Sequence, residues 1–73
     1  MKGEKMVLYS AVFNFAQGKP ENTWIADNPL ELRADFDPDS AIGSTILVIS
    51  TGDAYMKNSK NQWQKLGGSE VVL

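Results

Sequence analysis

The stretch from Ile42 to Gly68, IGSTILVISTGDAYMKNSKNQWQKLGG, limits the fold more than any other part of the chain. An unbroken apolar run, Ile46-Leu47-Val48-Ile49, stops at Ser50-Thr51-Gly52-Asp53, where small and polar residues favour a turn. Ala54-Tyr55-Met56-Lys57 follows, then a second polar tetrad, Asn58-Ser59-Lys60-Asn61, then Gln62-Trp63-Gln64-Lys65-Leu66. Two turn signals at this spacing predict a three-stranded antiparallel meander. With Thr51-Gly52 as the first tip, Val48 faces Tyr55 and Leu47 faces Met56; with Asn58 to Asn61 as the second loop, Met56 faces Trp63 and Tyr55 faces Gln64. That register sets Leu47, Met56 and Trp63 on one face and Val48, Tyr55 and Gln64 on the other, and slipping it by one residue exchanges the faces.

A second strand is read at the other end. From Met6 to Phe15 one parity is Val7, Tyr9, Ala11, Phe13, Phe15, all apolar, while the other is Met6, Leu8, Ser10, Val12, Asn14, apolar in part. This alternation predicts a long strand, buried on one side and half-covered on the other, ended at Gln17-Gly18-Lys19-Pro20. The expected architecture is therefore all-β, a small antiparallel sheet or sandwich in one domain over residues 1–73. It comprises a long strand at 6–15, a mostly irregular arm at 16–41, and the meander and tail at 42–73. Its expected structural core is Val7, Tyr9, Phe13, Leu47, Ile49, Tyr55, Met56 and Trp63.

The arm has no sustained period, yet it holds Trp24, Ile25, Leu30, Leu32 and Phe36, too much apolar surface for a disordered linker. Asn28-Pro29 suits the start of a short helix reaching Arg33, with proline at the first helical position. Connections longer than about 12–15 residues are uncommon in compact domains unless they bind something. Trp24, Ile25, Leu30, Leu32 and Phe36 are accordingly the candidate partner-binding residues, with Trp24 the natural anchor.

Size and composition narrow the function. A core in a chain of 73 residues seldom supplies more than about 3–5 kcal/mol, so small domains add disulfides, a metal or a partner. The chain has no Cys and no His, which excludes disulfides and zinc or haem-type sites and leaves oligomerisation or docking as the favoured staple. A net charge of −2 argues against binding nucleic acid by phosphate neutralisation. No apolar run approaches the ~20 residues that span a bilayer. The start, Met1-Lys2-Gly3-Glu4-Lys5 before an apolar stretch, is read as leading into a strand and not as a targeting segment, because Glu4 sits in the would-be basic region and Asn14 interrupts the tail.

Constellations for chemistry are sparse. Gly43-Ser44-Thr45 lacks the second Gly and the Lys of a phosphate loop and reads as a turn before a strand. Without Cys or His, nucleophilic catalysis would fall to Ser or Thr, and no nucleophile-elbow motif is present, so no enzyme and no cofactor is expected. Asp35, Asp37 and Asp39 alternate as at the opening of a calcium loop, but Ser40 and Ile46 stand where such a loop needs Gly and a bidentate Glu. Trp24, Trp63, Tyr55 and Tyr9 could together form a stacking platform for sugars, though strand-core spacing favours burial. Lys57, Lys60 and Lys65 oppose Asp35, Asp37, Asp39 and Asp53 in charge, the basis for head-to-tail pairing of subunits or simply for two solvated loops.

The segment IGSTILVISTGDAYMKNSKNQWQKLGG resembles one found in small structural proteins of tailed bacteriophages, of head-fibre, capsid-decoration and tail-fibre accessory type. The matching residues are Gly43, Ser44, Thr45, Ile46 to Ile49, Thr51-Gly52-Asp53, Tyr55-Met56, Trp63 and Lys65-Leu66. The resemblance covers about a third of the chain, is a hairpin with no reaction attached, and carries over no binding residues. It implies a non-enzymatic virion component, made in the bacterial host cytoplasm. Such a component would form a homo-oligomer, a trimer among the candidates, and contact other virion proteins such as the major capsid protein, with neither nucleic acid nor membrane as partner. The alternative is a small binding module, recognising carbohydrate or inhibiting a protein through exposed aromatics.

Overall fold

The computed structural model describes residues 6–67 and 71–73. The Met1 to Lys5 start and residues 68–70 of the tail lie outside the described residues. Five strands form one sheet in chain order: β1 Val7–Asn14, β2 Lys19–Ala26, β3 Thr45–Val48, β4 Asp53–Lys57 and β5 Trp63–Lys65. The fold is all-β, as expected, but the sheet is mixed: β2 and β3 run parallel while every other neighbouring pair is antiparallel. A parallel pair cannot be closed by a tight turn, so the chain needs a crossover between β2 and β3. Residues 27–44 supply it.

The first part of the expected arm is therefore a strand. Lys19–Ala26 pairs along nearly its whole length with β1, from Val7 opposite Ile25 to Asn14 opposite Lys19. Periodicity hid it because β2 is flanked on both sides in part of its length and opens with Lys19-Pro20-Glu21. Pro20 is tolerated there because β2 pairs with β3 only through Thr23–Ala26, beyond the proline. The β1–β2 turn is closed at Asn14, whose carbonyl accepts from the Gly18 N–H at 2.8 Å, and Gly18 takes a φ of 69° that suits glycine.

The crossover opens with a single 3-10 turn, Pro29–Glu31, shorter than the helix expected from Asn28-Pro29 but capped as that pair suggested. The Asn28 side chain accepts from the Leu30 N–H at 2.9 Å. The buried Glu31 reaches back, its carboxylate accepting from the Asp27 N–H at 3.2 Å. From there the crossover lies over one face of the sheet and makes it the core. Ala26, Ile46, Val48, Tyr55 and Trp63 are buried on that face, with Met6, Trp24, Leu32, Phe36 and Leu73 packed around them.

Both meander registers differ from the sequence expectation. Val48 pairs with Asp53 and Ile46 with Tyr55, a slip of two residues that keeps every side chain on its expected face. The cause is β2: the Ile49 and Ser50 N–H groups donate to the carbonyls of Ala26 and Asp27, so β3 stays engaged with its parallel neighbour and the hairpin closes later, with Gly52 at φ 76°. The second hairpin slips by one, pairing Lys57 with Trp63 and Met56 with Gln64. Asn58 remains outside the loop, its N–H donating to the Gln62 carbonyl, and the turn ends in Asn61 at φ 63°. A turn followed by one left-handed residue is a three-residue hairpin, which moves Trp63 to the crossover side, opposite the face expected.

Candidate functional site

Two regions concentrate unusual chemistry, one beneath the crossover and one at the sheet's outer edge. Beneath the crossover, Asp37 is the hub. Its backbone sits at φ 51°, a left-handed value that Asp tolerates better than most side chains. The carboxylate accepts from Trp24 Nε1 at 2.8 Å and Asn22 Nδ2 at 3.0 Å, tying the crossover to β2. Its carbonyl accepts from Lys57 Nζ and from the Ser40 hydroxyl, tying it to β4, while the neighbouring Phe36 carbonyl accepts from Trp63 Nε1 at 2.9 Å, tying it to β5. Phe36 itself stands edge-on to Trp24, centroids 4.8 Å apart, and 6.4 Å from Trp63.

Lys57 is 1% exposed, and among the described residues its ammonium forms no ion pair. Nζ donates to Ser40 Oγ at 2.8 Å and lies 4.9 Å from the centre of the Trp63 ring. Desolvation lowers the Lys57 pKa from its ordinary value, an effect that Asp37 and Asp39 oppose and Lys19 reinforces. Among the described residues no buried side-chain nitrogen or oxygen lacks a hydrogen-bond partner. These polar groups are committed to holding the crossover down.

That commitment accounts for much of the residue set read as partner-binding. Trp24, Leu32 and Phe36 pack against the core, the half-buried Ile25 faces away from it in β2, and Leu30 is 94% exposed on the 3-10 turn. The structure thus sets Leu32 and Phe36 of the crossover over this chain's own sheet, where Phe36 meets Trp24 of β2. Of the proposed stacking platform, Tyr55 and Trp63 are buried, Trp24 is half-buried, and Tyr9 is exposed on β1, away from the other three. The three alternate aspartates do not converge either: among the described residues no group of three His, Cys, Asp or Glu is arranged to hold a metal ion, and Asp35 instead meets the exposed Arg33 at 3.3 Å.

The outer edge is different. Of the expected core, Tyr55 and Trp63 are buried, whereas Val7, Tyr9, Phe13 and Ile49 lie exposed and Leu47 and Met56 sit half-open on the face opposite the crossover. The correction for β1 has a topological reason. β1 pairs only with β2, and the crossover covers residues of β2 to β5, so the longest apolar strand lies beyond the lid. Leu8, Val12 and Phe15 join it, with exposures from 46% to 87% across the six large apolar side chains of Val7 to Phe15. Phe13 and Phe15 stack edge-on at 4.9 Å by the turn. Leu8 and Val12 were missed as surface residues because their parity was read as half-covered, and Phe15 because its parity was read as buried; apolar character on both parities also marks a strand with neither side covered.

The sheet face away from the crossover continues this surface. Val7, Ile25, Leu47 and Ala54 form one cross-strand row and Ser10, Thr23, Thr45, Met56 and Gln64 the next. The opposite sheet edge is closed by the chain itself: the Lys65 N–H donates to the Val71 carbonyl, the Leu73 N–H to the Trp63 carbonyl, and Val72 bridges Gln64. Comparison with protein-family models, with curated proteins and with solved structures finds no match to this chain.

Proposed function

We propose that this protein is a non-enzymatic structural subunit that assembles with copies of itself and docks on a larger particle. One observation carries the reading: β1 presents Val7, Leu8, Tyr9, Val12 and Phe13 to solvent, and Phe15 follows in the turn, on a run, Met6 to Phe15, without a single charge. Single exposed apolar residues are ordinary, but a contiguous strand of them marks an interaction surface. The setting comes from the resemblance of the Ile42 to Gly68 segment to tailed-phage structural proteins, which makes a virion the particle and capsid or fibre proteins the further partners. For the binding-module alternative, three rings of its four-ring platform, Trp24, Tyr55 and Trp63, are engaged inside, which leaves Tyr9 as the exposed one.

Sedimentation of the purified chain at micromolar concentration tests the assembly: an oligomer is expected, and a monomer insensitive to concentration overturns it. Mass spectrometry of purified phage particles tests the setting. The chain should co-purify with capsid or fibre proteins, and its absence from particles removes the virion reading.

A further inference from the structure

We propose that the partner covering β1 is a second copy of this chain, added edge to edge so that two β1 strands pair antiparallel and the two sheets become one. The inference rests on the assembly reading above and specifies its contact. Strand edges present unpaired backbone N–H and C=O groups, and natural proteins blunt them with short length, lysine, proline, inward charge or a covering segment. The two edges of this sheet are treated oppositely. β5 has three residues, ends in Lys65 and is capped by the tail. β1 has eight residues, no charge and no proline, and its one blunting device is a bulge between Leu8 and Ser10. The bulge leaves Ser10 to Asn14 regular.

Self-pairing fits on three counts. An uncharged strand meets its own copy with no like charges opposed, whatever the salt. Identical strands paired antiparallel are related by a two-fold axis, so the contact is isologous and closes at two copies, while the capped β5 edge prevents head-to-tail extension into a filament. Pairing gives partners to the outward backbone groups of an eight-residue strand and sets its exposed apolar side chains beside those of the second copy as cross-strand pairs. The axis runs perpendicular to the sheet, so both crossovers lie on one side and the open faces of both copies form one surface. It also sets one central residue opposite itself, among Ser10, Ala11 and Val12.

The chain has no native cysteine, so single-cysteine variants read this geometry cleanly. Directly opposed residues in antiparallel strands lie ~4.5–5.5 Å apart at Cα, within disulfide reach. One of Ser10→Cys, Ala11→Cys and Val12→Cys should therefore give a covalent dimer under mild oxidation, while Ser59→Cys, on the far hairpin, should not. In parallel, Val12→Lys should halve the sedimenting mass at concentrations where the parent chain is dimeric, and Met56→Lys on the open face should leave it dimeric. Cross-linking carries the decision where Val12→Lys fails to fold. An assembly that is trimeric, that persists in folded Val12→Lys, or in which none of the three central cysteines cross-links overturns edge pairing and leaves the assembly reading standing. A parent chain that stays monomeric up to millimolar concentration overturns both.

Discussion

At the scale of single residues, the informative side chains are those whose chemistry and position disagree. Lys57 is a charge buried against a carbonyl, a hydroxyl and an indole, with no ion-pair partner among the described residues. Replacing a buried ion by an apolar residue of similar length is often neutral or stabilising, provided no partner is orphaned. None is here, since the Asp37 carbonyl keeps the Ser40 hydroxyl and N–H. Lys57→Met should thus match the parent at pH 7 or exceed it by about 1–2 kcal/mol in urea unfolding. The pH dependence has a definite sign. Because burial lowers the Lys57 pKa, the unfolded chain binds the proton more tightly, and the parent gains stability as pH rises through the lowered value towards 10.5. The gap to Lys57→Met should shrink over that window. A loss above about 2 kcal/mol in Lys57→Met at pH 7 would show that the ammonium stabilises the fold. Trp24 makes the converse case: Trp24→Ala removes packing against Phe36 and the donor to Asp37, and should cost about 3 kcal/mol or more. A Trp24→Ala chain of parental stability would return Trp24 to the role of docking anchor. Aromatic type alone marks Trp24 as an anchor but does not say whether it grips a partner or its own crossover.

At the scale of elements, what was legible depended on whether local chemistry or a distant strand decides. The strands at Val7–Asn14, Thr45–Val48, Asp53–Lys57 and Trp63–Lys65 follow from alternation and turn residues, as does the capped turn at Asn28-Pro29. The β2 strand and the parallel β2–β3 pair do not, because their pattern is set by a neighbour separated by the whole crossover. The hairpin registers failed for the same reason in β3 and for a local one in β5. There a single asparagine sets the loop: Asn58 Oδ1 accepts from the N–H groups of Lys60 and Gln62 at 2.9 and 3.0 Å, and its amide donates to Gln64 Oε1 at 3.1 Å. Asn58→Ala should cost about 1–2 kcal/mol, read as an earlier urea midpoint. Gly43 is equally specific, at φ 101° with its N–H donating to the Lys57 carbonyl and a Cβ there meeting the Glu21 carboxylate at 2.5 Å. Glu21 can swing aside, so the backbone sets the cost of Gly43→Ala, about 1–3 kcal/mol. An unchanged midpoint would mean that the turn relaxes to a negative φ.

At the scale of the whole molecule, one question decides between the ways in which so small a sheet could be completed. Charge pairing between the lysine-rich hairpin and the aspartates of another subunit is weakened by the structure, since Lys57 is buried and Lys65 meets Asp53 of its own chain at 3.6 Å. The exposed apolar side chains gather along β1 and the face behind it. Surface ion pairs weaken as salt screens them, whereas apolar burial and backbone pairing do not. Association is therefore expected to hold or strengthen from low salt to 0.5 M sodium chloride. Folding coupled to a dimer also makes the melting temperature depend on concentration. Each tenfold dilution lowers the stability of the assembled state by about 1.4 kcal/mol per dimer, which for two chains of 73 residues shifts the midpoint by about 4–5 °C. Calorimetry across two decades of concentration should show that slope at both salt levels. A midpoint independent of concentration would mean that the crossover lid and the core around Trp63 hold the monomer unaided, and a slope that disappears at high salt would return the contact to the charged loops.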